Sequence, residues 1–170
     1  PVMLKVFEKP DIVSVMSFSI TGWRLGYVAG PPELIEPIGL LNDLFYVCAP
    51  TPLQHGIAHA LRVVEPSYYH ELANDYLKKR DFLAAALEDT GFDPWVPDGA
   101  YYMLADFTRL GFPDDRDAAT QLLEIARVAT VPGSAFYRAE PGNQVLRFCY
   151  AKPMEDLEKA ARSLKEAFGS

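Results

Sequence analysis

Ser17-Phe18-Ser19-Ile20-Thr21-Gly22-Trp23-Arg24-Leu25-Gly26-Tyr27 is the stretch whose reading decides the fold. It sets two serine hydroxyls and one arginine in a segment otherwise dominated by apolar, aromatic and glycine residues. A dianionic phosphate calls for hydroxyl and backbone donors plus a cation that never deprotonates, and arginine offers it a planar fork. Gly22 and Gly26 are places for the backbone to turn or to approach a neighbour closely. Taken alone, Gly22 to Tyr27 also reads as an ordinary buried strand with an aromatic belt.

The complete stretch resembles the lysine-site signature of class I/II aminotransferases, the fold-type I enzymes that use pyridoxal 5'-phosphate (PLP). That signature runs Ser-aromatic-Ser-Lys-Thr-aromatic-small-apolar-Thr-Gly-Trp-Arg-apolar-Gly-aromatic. Ser17, Phe18 and Ser19 match its front half, and Ile20 to Tyr27 match its back half without interruption. Between the halves the family carries four residues, beginning with the lysine that bonds PLP, and Ile20 follows Ser19 here without them. The resemblance therefore implies cofactor-binding roles for Ser17, Ser19 and Arg24, with Ser17 and Arg24 on the phosphate, and no catalytic lysine. Four residues span up to roughly 13–14 Å, so holding Ser17 and Arg24 on one phosphate without them is expected to demand a large rearrangement. Three readings of the gap stay open: a loop of the molecule that falls outside these 170 residues, a purposeful deletion or replacement, and a natural, inactive relative. A loop that has lost its PLP anchor favours the first. A single modified lysine accounts for one residue, not four.

A chain of 170 residues is long enough for a real core, and 49% hydrophobic with 23% charged content is ordinary for a globular protein. The formal net charge of −7 argues against nucleic-acid or anionic-membrane partners. No apolar run reaches membrane-spanning length and no signal peptide opens the chain, so a cytoplasmic location is expected. Cys48 and Cys149 lie in apolar surroundings far apart in sequence and read as buried free thiols, neither a disulfide nor a metal site.

Asp11 to Met16 is β-branched and continuous, suiting a buried parallel strand that leads into the serine motif. Trp23 to Ala29 reads as a second strand, ended by Gly30-Pro31-Pro32, and the two prolines start a helix running to about Tyr46. Thr51-Pro52 reads as an N-cap with proline at the first helical position of a helix whose buried stripe is Ile57, Leu61 and Val64. His55 and His59 have the i, i+4 spacing of two metal ligands, but with no third ligand in company they read as surface or interface histidines. Ser67 to Glu88 is expected to be a long helix with Leu72, Tyr76, Leu83 and Leu87 inward, Lys78-Lys79-Arg80-Asp81 solvated, and Gly91 closing it. Beyond it, strands are expected at 101–107, 129–131 and 145–150, and helices at 115–127 and 153–168. The last carries the amphipathic stripe Met154, Leu157, Ala161, Leu164 and Phe168.

Val131-Pro132-Gly133-Ser134-Ala135-Phe136 and Val145-Leu146-Arg147-Phe148-Cys149-Tyr150 resemble the family's paired small-domain motifs, in which the strand arginine binds the substrate α-carboxylate. Arg147 suits that role, because an arginine within an apolar strand is expensive to bury unless an anion meets it. A structural ion pair with an internal Asp or Glu is the plainer alternative. Tyr101 and Tyr102 resemble a glycine-aromatic segment near the substrate, and core packing explains them equally well. Arg147 to Lys152 and Pro50 to Gln54 also have the flavour of kynurenine and glutamine-type transaminases.

The fold class so implied is α/β, the C-terminal part of a fold-type I PLP-dependent transferase. Residues 1–65 end the large mixed-sheet PLP-binding domain, 66–92 form a long connecting helix, and 93–170 form the small α+β domain. The implied parent is a homodimer that moves an amino group between an L-amino acid and a 2-oxo acid such as 2-oxoglutarate, its lysine serving as the base at Cα. The family's catalytic chain is more than twice as long, and its preceding part carries the residues that stack on and pair with the PLP ring. The chain as it stands is therefore expected to be inactive. Two rivals are a PLP-dependent C–S lyase on the same fold and a non-catalytic aminotransferase-like ligand-binding module.

Overall fold

A computed structural model describes residues 14–17, 20–136 and 144–169, with the backbone alone at 14–17 and at Thr21. The chain divides into two compact units, Pro1–Pro66 and Ser67–Ser170.

In the first unit, β1 (Ser14–Ser17) and β2 (Gly26–Ala29) pair antiparallel with Ser17 opposite Gly26. This corrects the expected parallel strand. A parallel partner needs a crossover of about a dozen residues or more, and the segment 18–25 permits only a hairpin. Asp11 to Val13 lie outside the described residues. The second strand also starts later than expected, because Thr21–Trp23 form a 3-10 turn and Arg24 takes a left-handed backbone at φ 54°.

Helices α1 (Pro32–Phe45) and α2 (Thr51–Val63) follow, each entered through proline at a position where no amide is needed. The residue preceding α2 is Pro50, with no side-chain cap, so the Thr51 cap is not formed. The spacing of apolar residues gives both helices correctly but misleads about burial. No residue of α1 is buried, and Ile57 is the buried member of the α2 stripe while Leu61 is 57% exposed.

The second unit begins in α3 (Pro66–Glu88). Leu83, Ala84 and Leu87 enter the core, and Gly91 at φ 87° reverses the chain. The Thr90 hydroxyl donates to the Ala86 and Leu87 carbonyls, satisfying the helix end. A four-stranded antiparallel sheet follows in the order β3 (Asp93–Trp95), β4 (Tyr102–Asp106), β6 (Val145–Cys149), β5 (Val131–Pro132). The strand β3 was not expected from the sequence; its Pro94 gives no strand signal and is tolerated because β3 is an edge.

Alternation decides the faces. Met103, Ala105, Leu146 and Phe148 point to the core, where Phe92 meets Phe148 edge to face at 5.4 Å. Helices α4 (Asp115–Gln121) and α5 (Met154–Phe168) supply Ala118, Leu157 and Leu164 to the same core. The expected single helix over 115–127 ends instead as a π-helical turn, Leu122–Ala126, followed by Arg127 at φ 57°. Asp114 caps α4, its carboxylate accepting from the Arg116 and Asp117 amides at 2.9 and 2.8 Å.

Leu146 is wholly buried at the centre of the sheet. Leu146→Ala is expected to lower the unfolding free energy by about 2–5 kcal/mol, read from urea melts, because the rigid pair β4–β6 cannot close over the void.

Candidate functional site

The first cluster sits at the loop end of the hairpin. The β1–β2 register puts Ser17 opposite Gly26, two residues along the chain from Arg24. The pairing thus places the Ser17 backbone near that of Arg24. The 3-10 turn closes with Trp23 N–H donating to the Ile20 carbonyl at 3.1 Å, and the left-handed Arg24 re-enters the strand. A non-glycine residue in that region costs free energy, and such strain collects at functional positions. Arg24 is exposed, and among the described residues no carboxylate lies within ion-pair distance of it. Among the described residues its hydrogen-bonding fork is therefore uncommitted, as an anion-binding group requires. Phe18 and Ser19 lie outside the described residues, and with them the Ser19–Ile20 junction on which the three readings of the gap part.

Gly22 of the motif and Gly56 of α2 differ in their surroundings. A Cβ built on Gly22 meets nothing within 4 Å, so close approach is not its role. A Cβ on Gly56 of α2 falls 2.8 and 2.9 Å from the Trp23 ring, so it is Gly56 that lets the indole lie against the helix.

The second cluster is in the second unit. Arg147 projects from the middle of β6 on the face opposite Leu146 and Phe148, between Leu104 of β4 and Val131 of β5. It is half-buried, and among the described residues no carboxylate pairs with it, so the structural ion pair is not found. Aromatic rings meet the guanidinium instead: Tyr102 at 5.1 Å and Phe136 at 4.7 Å from ring centroid to Cζ. Tyr101 and Tyr102 are each 39% exposed, so core packing is not their purpose. Phe136 follows the 3-10 turn Gly133–Ala135, whose Ser134 amide donates to the Asp115 carboxylate at 2.5 Å. The roles of Phe136 and Asp115 escaped sequence reasoning, since neither contact is local in sequence.

The turn before β4 is pinned from two sides. Arg80 donates to the Pro97 carbonyl at 3.0 Å, so it is more than part of a solvated charge run. The Tyr150 hydroxyl donates to the Gly99 and Ala100 carbonyls at 3.2 Å each, across Ala100 at φ 68°. Burial pushes the Tyr150 phenol above its ordinary value of 10.0, an effect that the nearby Arg80 cation opposes.

Cys48 and Cys149 are both exposed, which corrects the expectation of buried thiols. Cys149 shares the open face with Arg147, two residues along the strand, and that alternation overrides its apolar sequence neighbours. His55 and His59 are exposed, and no group of three metal-ligating side chains occurs among the described residues. The open groove of about 440 Å³ between α3 and α5, lined by Phe82, Ala86, Asp89 and Arg162 among others, contains none of the candidate residues.

The family model for aminotransferase class I and II matches residues 8–164. The chain belongs to the class I and II aminotransferase family. It is 35% identical over 158 residues to a probable aspartate aminotransferase of Methanocaldococcus jannaschii, covering 89% of this chain and 40% of that protein. Human kynurenine–oxoglutarate transaminase 3 is 32% identical over 168 residues, covering 88% of this chain and 37% of that protein. The solved N-succinyldiaminopimelate aminotransferase of Mycobacterium tuberculosis superposes with a TM-score of 0.77 at 32% identity, over 91% of this chain and 41% of that one. The fold is that of PLP-dependent fold-type I aminotransferases, and this chain spans about 40% of the length of such relatives. These relatives carry aminotransferase names, which leaves the C–S lyase alternative without support.

Two outcomes check the local geometry. In a Trp95→Phe background, where Trp23 is the remaining indole, Gly56→Ala is expected to shift the Trp23 emission maximum while Gly22→Ala leaves it in place. For Tyr150, a folded-state pKa above the unfolded one means that its contribution is complete below about pH 10 and is lost as pH rises toward the folded value. Urea melts should therefore show stability falling above pH 10, less steeply in Tyr150→Phe, which also forfeits roughly 0.5–1.5 kcal/mol for the one hydroxyl proton that the two carbonyls share.

Proposed function

We propose that this chain is the C-terminal portion of a PLP-dependent aminotransferase that moves an amino group between an L-amino acid and a 2-oxo acid, 2-oxoglutarate being the expected acceptor. In this reading residues 1–65 end the large PLP-binding domain, 66–92 connect, and 93–170 form the small domain. The observation that carries it is Arg147, a guanidinium on an open sheet face with aromatic neighbours and no carboxylate partner among the described residues.

Each residue has a physical task. Arg24 and the Ser17 hydroxyl bind the cofactor phosphate, with Ser19 beside them, and the charge-assisted bonds of the arginine supply most of the grip. Arg147 takes the substrate carboxylate through paired N–H donors and so orients the Cα–H bond. PLP, when bound, supplies the electron sink for loss of the Cα proton. The proton itself requires a base at the lysine position, which this chain lacks, so the 170-residue chain binds and orients without turning over.

A cytoplasmic location in amino-acid metabolism and a homodimeric assembly complete the reading. The exposed row Leu40, Leu41, Leu44 and Phe45 on α1 supports the assembly, since such a row in water favours a partner surface. No described helix is long and apolar enough to cross a membrane.

Pyridoxine 5'-phosphate has no aldehyde to react with stray lysines and therefore reports the phosphate site alone. Its ³¹P resonance is expected to shift on adding the chain. Arg24→Gly, which suits the left-handed backbone, should abolish that shift without loss of thermal stability. An unchanged shift in Arg24→Gly removes the phosphate assignment, and measurable transamination by the unaltered chain contradicts the inactive reading.

A further inference from the structure

We propose that Tyr102 and Phe136 are the two jaws of an aromatic clamp that presents the Arg147 guanidinium in one orientation to a carboxylate, and that Asp115 sets the second jaw through the Ser134 amide. This deepens, and rests on, the reading of Arg147 as the carboxylate receptor.

A guanidinium is planar: its faces attract π-systems and its edge carries the N–H donors. Rings over the faces therefore leave the edge free for a bidentate carboxylate. The rings of Tyr102 and Phe136 lie 5.1 and 4.7 Å from Cζ, inside the range of cation–π attraction. An arginine side chain on an open sheet face otherwise spreads over many rotamers, and a carboxylate must then collect it at an entropic cost. The clamp meets that cost during folding, before the ligand arrives.

Each jaw is itself held. Tyr102 sits directly across from Cys149 in the β4–β6 register, and the turn before it is fixed by Arg80 on the Pro97 carbonyl and by Tyr150 on Gly99 and Ala100. Phe136 ends a 3-10 turn and its amide donates to the Gly133 carbonyl at 2.9 Å. Within that turn the Ser134 amide donates to Asp115, a carboxylate only 2% exposed. Burying a carboxylate is costly, and its position in the first turn of α4 offsets part of that cost. The return is a fixed turn, and so a fixed Phe136. Tyr102, Phe136 and Asp115 are thus positioning residues acting through Arg147.

The test uses the whole 170-residue chain and nuclear magnetic resonance of the Arg147 side chain. Without ligand, the Arg147 δ-methylene and Nε–H signals are expected upfield of ordinary arginine positions through ring currents. Phe136→Leu and Tyr102→Leu should each remove part of that displacement. Asp115→Ala should remove the Phe136 part alone, whereas Asp115→Asn, whose carbonyl still accepts from Ser134, retains it. Titrated with 2-oxoglutarate, the two leucine variants should bind about three- to tenfold more weakly, and Phe136→Tyr and Tyr102→Phe should bind as the parent does. If a leucine variant loses its folded amide spectrum, Phe136→Met or Tyr102→Met takes its place. Undisplaced Arg147 signals in the parent chain overturn the clamp. So does parent-like 2-oxoglutarate affinity in both ring-less variants while Arg147→Ala loses binding. If instead Arg147→Ala binds as the parent does, or no Arg147 signal moves with 2-oxoglutarate, the carboxylate reading fails, and the ligand-free ring-current measurement still decides the clamp.

Discussion

The pairing of β4 with β6 is the constraint on which the second unit depends. Met103 lies opposite Phe148 and Ala105 opposite Leu146, which fills the core, while Leu104 lies opposite Arg147. Because side chains alternate with a period of two, a slip of one residue would drive the guanidinium into that core and turn Leu146 and Phe148 to water. Burying an unpaired guanidinium costs far more than any alternative packing returns. Apolar packing on one face thereby fixes a cation on the other. The helices α4 and α5 cover the first face, and the second carries Arg147 with its aromatic neighbours.

The first unit uses a different device. A hairpin brings the two ends of the serine–arginine motif together by backbone pairing, with Ser17 opposite Gly26. After Ile20 the chain makes a 3-10 turn, Thr21–Trp23, and Arg24 takes a left-handed backbone before β2. In the function proposed here, anion recognition and proton transfer are separable, because the first rests on Ser17 and Arg24 and the second on a lysine absent from these 170 residues.

Much of this was legible in the sequence, and the failures are physical ones. The family could be read from Ser17-Phe18-Ser19 and Ile20 to Tyr27 because phosphate binding ties residue type to spacing. Helices α1, α3 and α5 were readable from their 3.6-residue periodicity, and β6 from its apolar run around Arg147. Periodicity reports which residues share a face, however, and not what covers that face; hence Leu44, in phase with the other apolar residues of α1, is 77% exposed. The direction of β1 was misread because β-branched continuity suits parallel strands in general, while the shortness of 18–25 decides the matter. The thiol of Cys149 was misjudged by composition, and strand parity corrects it. The contacts of Asp115 with Ser134 and of Tyr150 with Gly99 and Ala100 join residues far apart along the chain. No local pattern encodes them.

What unites these features is an arginine that no carboxylate among the described residues pairs with, proposed here as the receptor of an outside anion. A crystal structure of the chain grown with 2-oxoglutarate would test this most directly. The account predicts one carboxylate of the ligand bonded in bidentate fashion to the edge of the Arg147 guanidinium, with the Tyr102 and Phe136 rings against its faces. A ligand bound elsewhere, or an Arg147 turned to a carboxylate of its own chain, would contradict it.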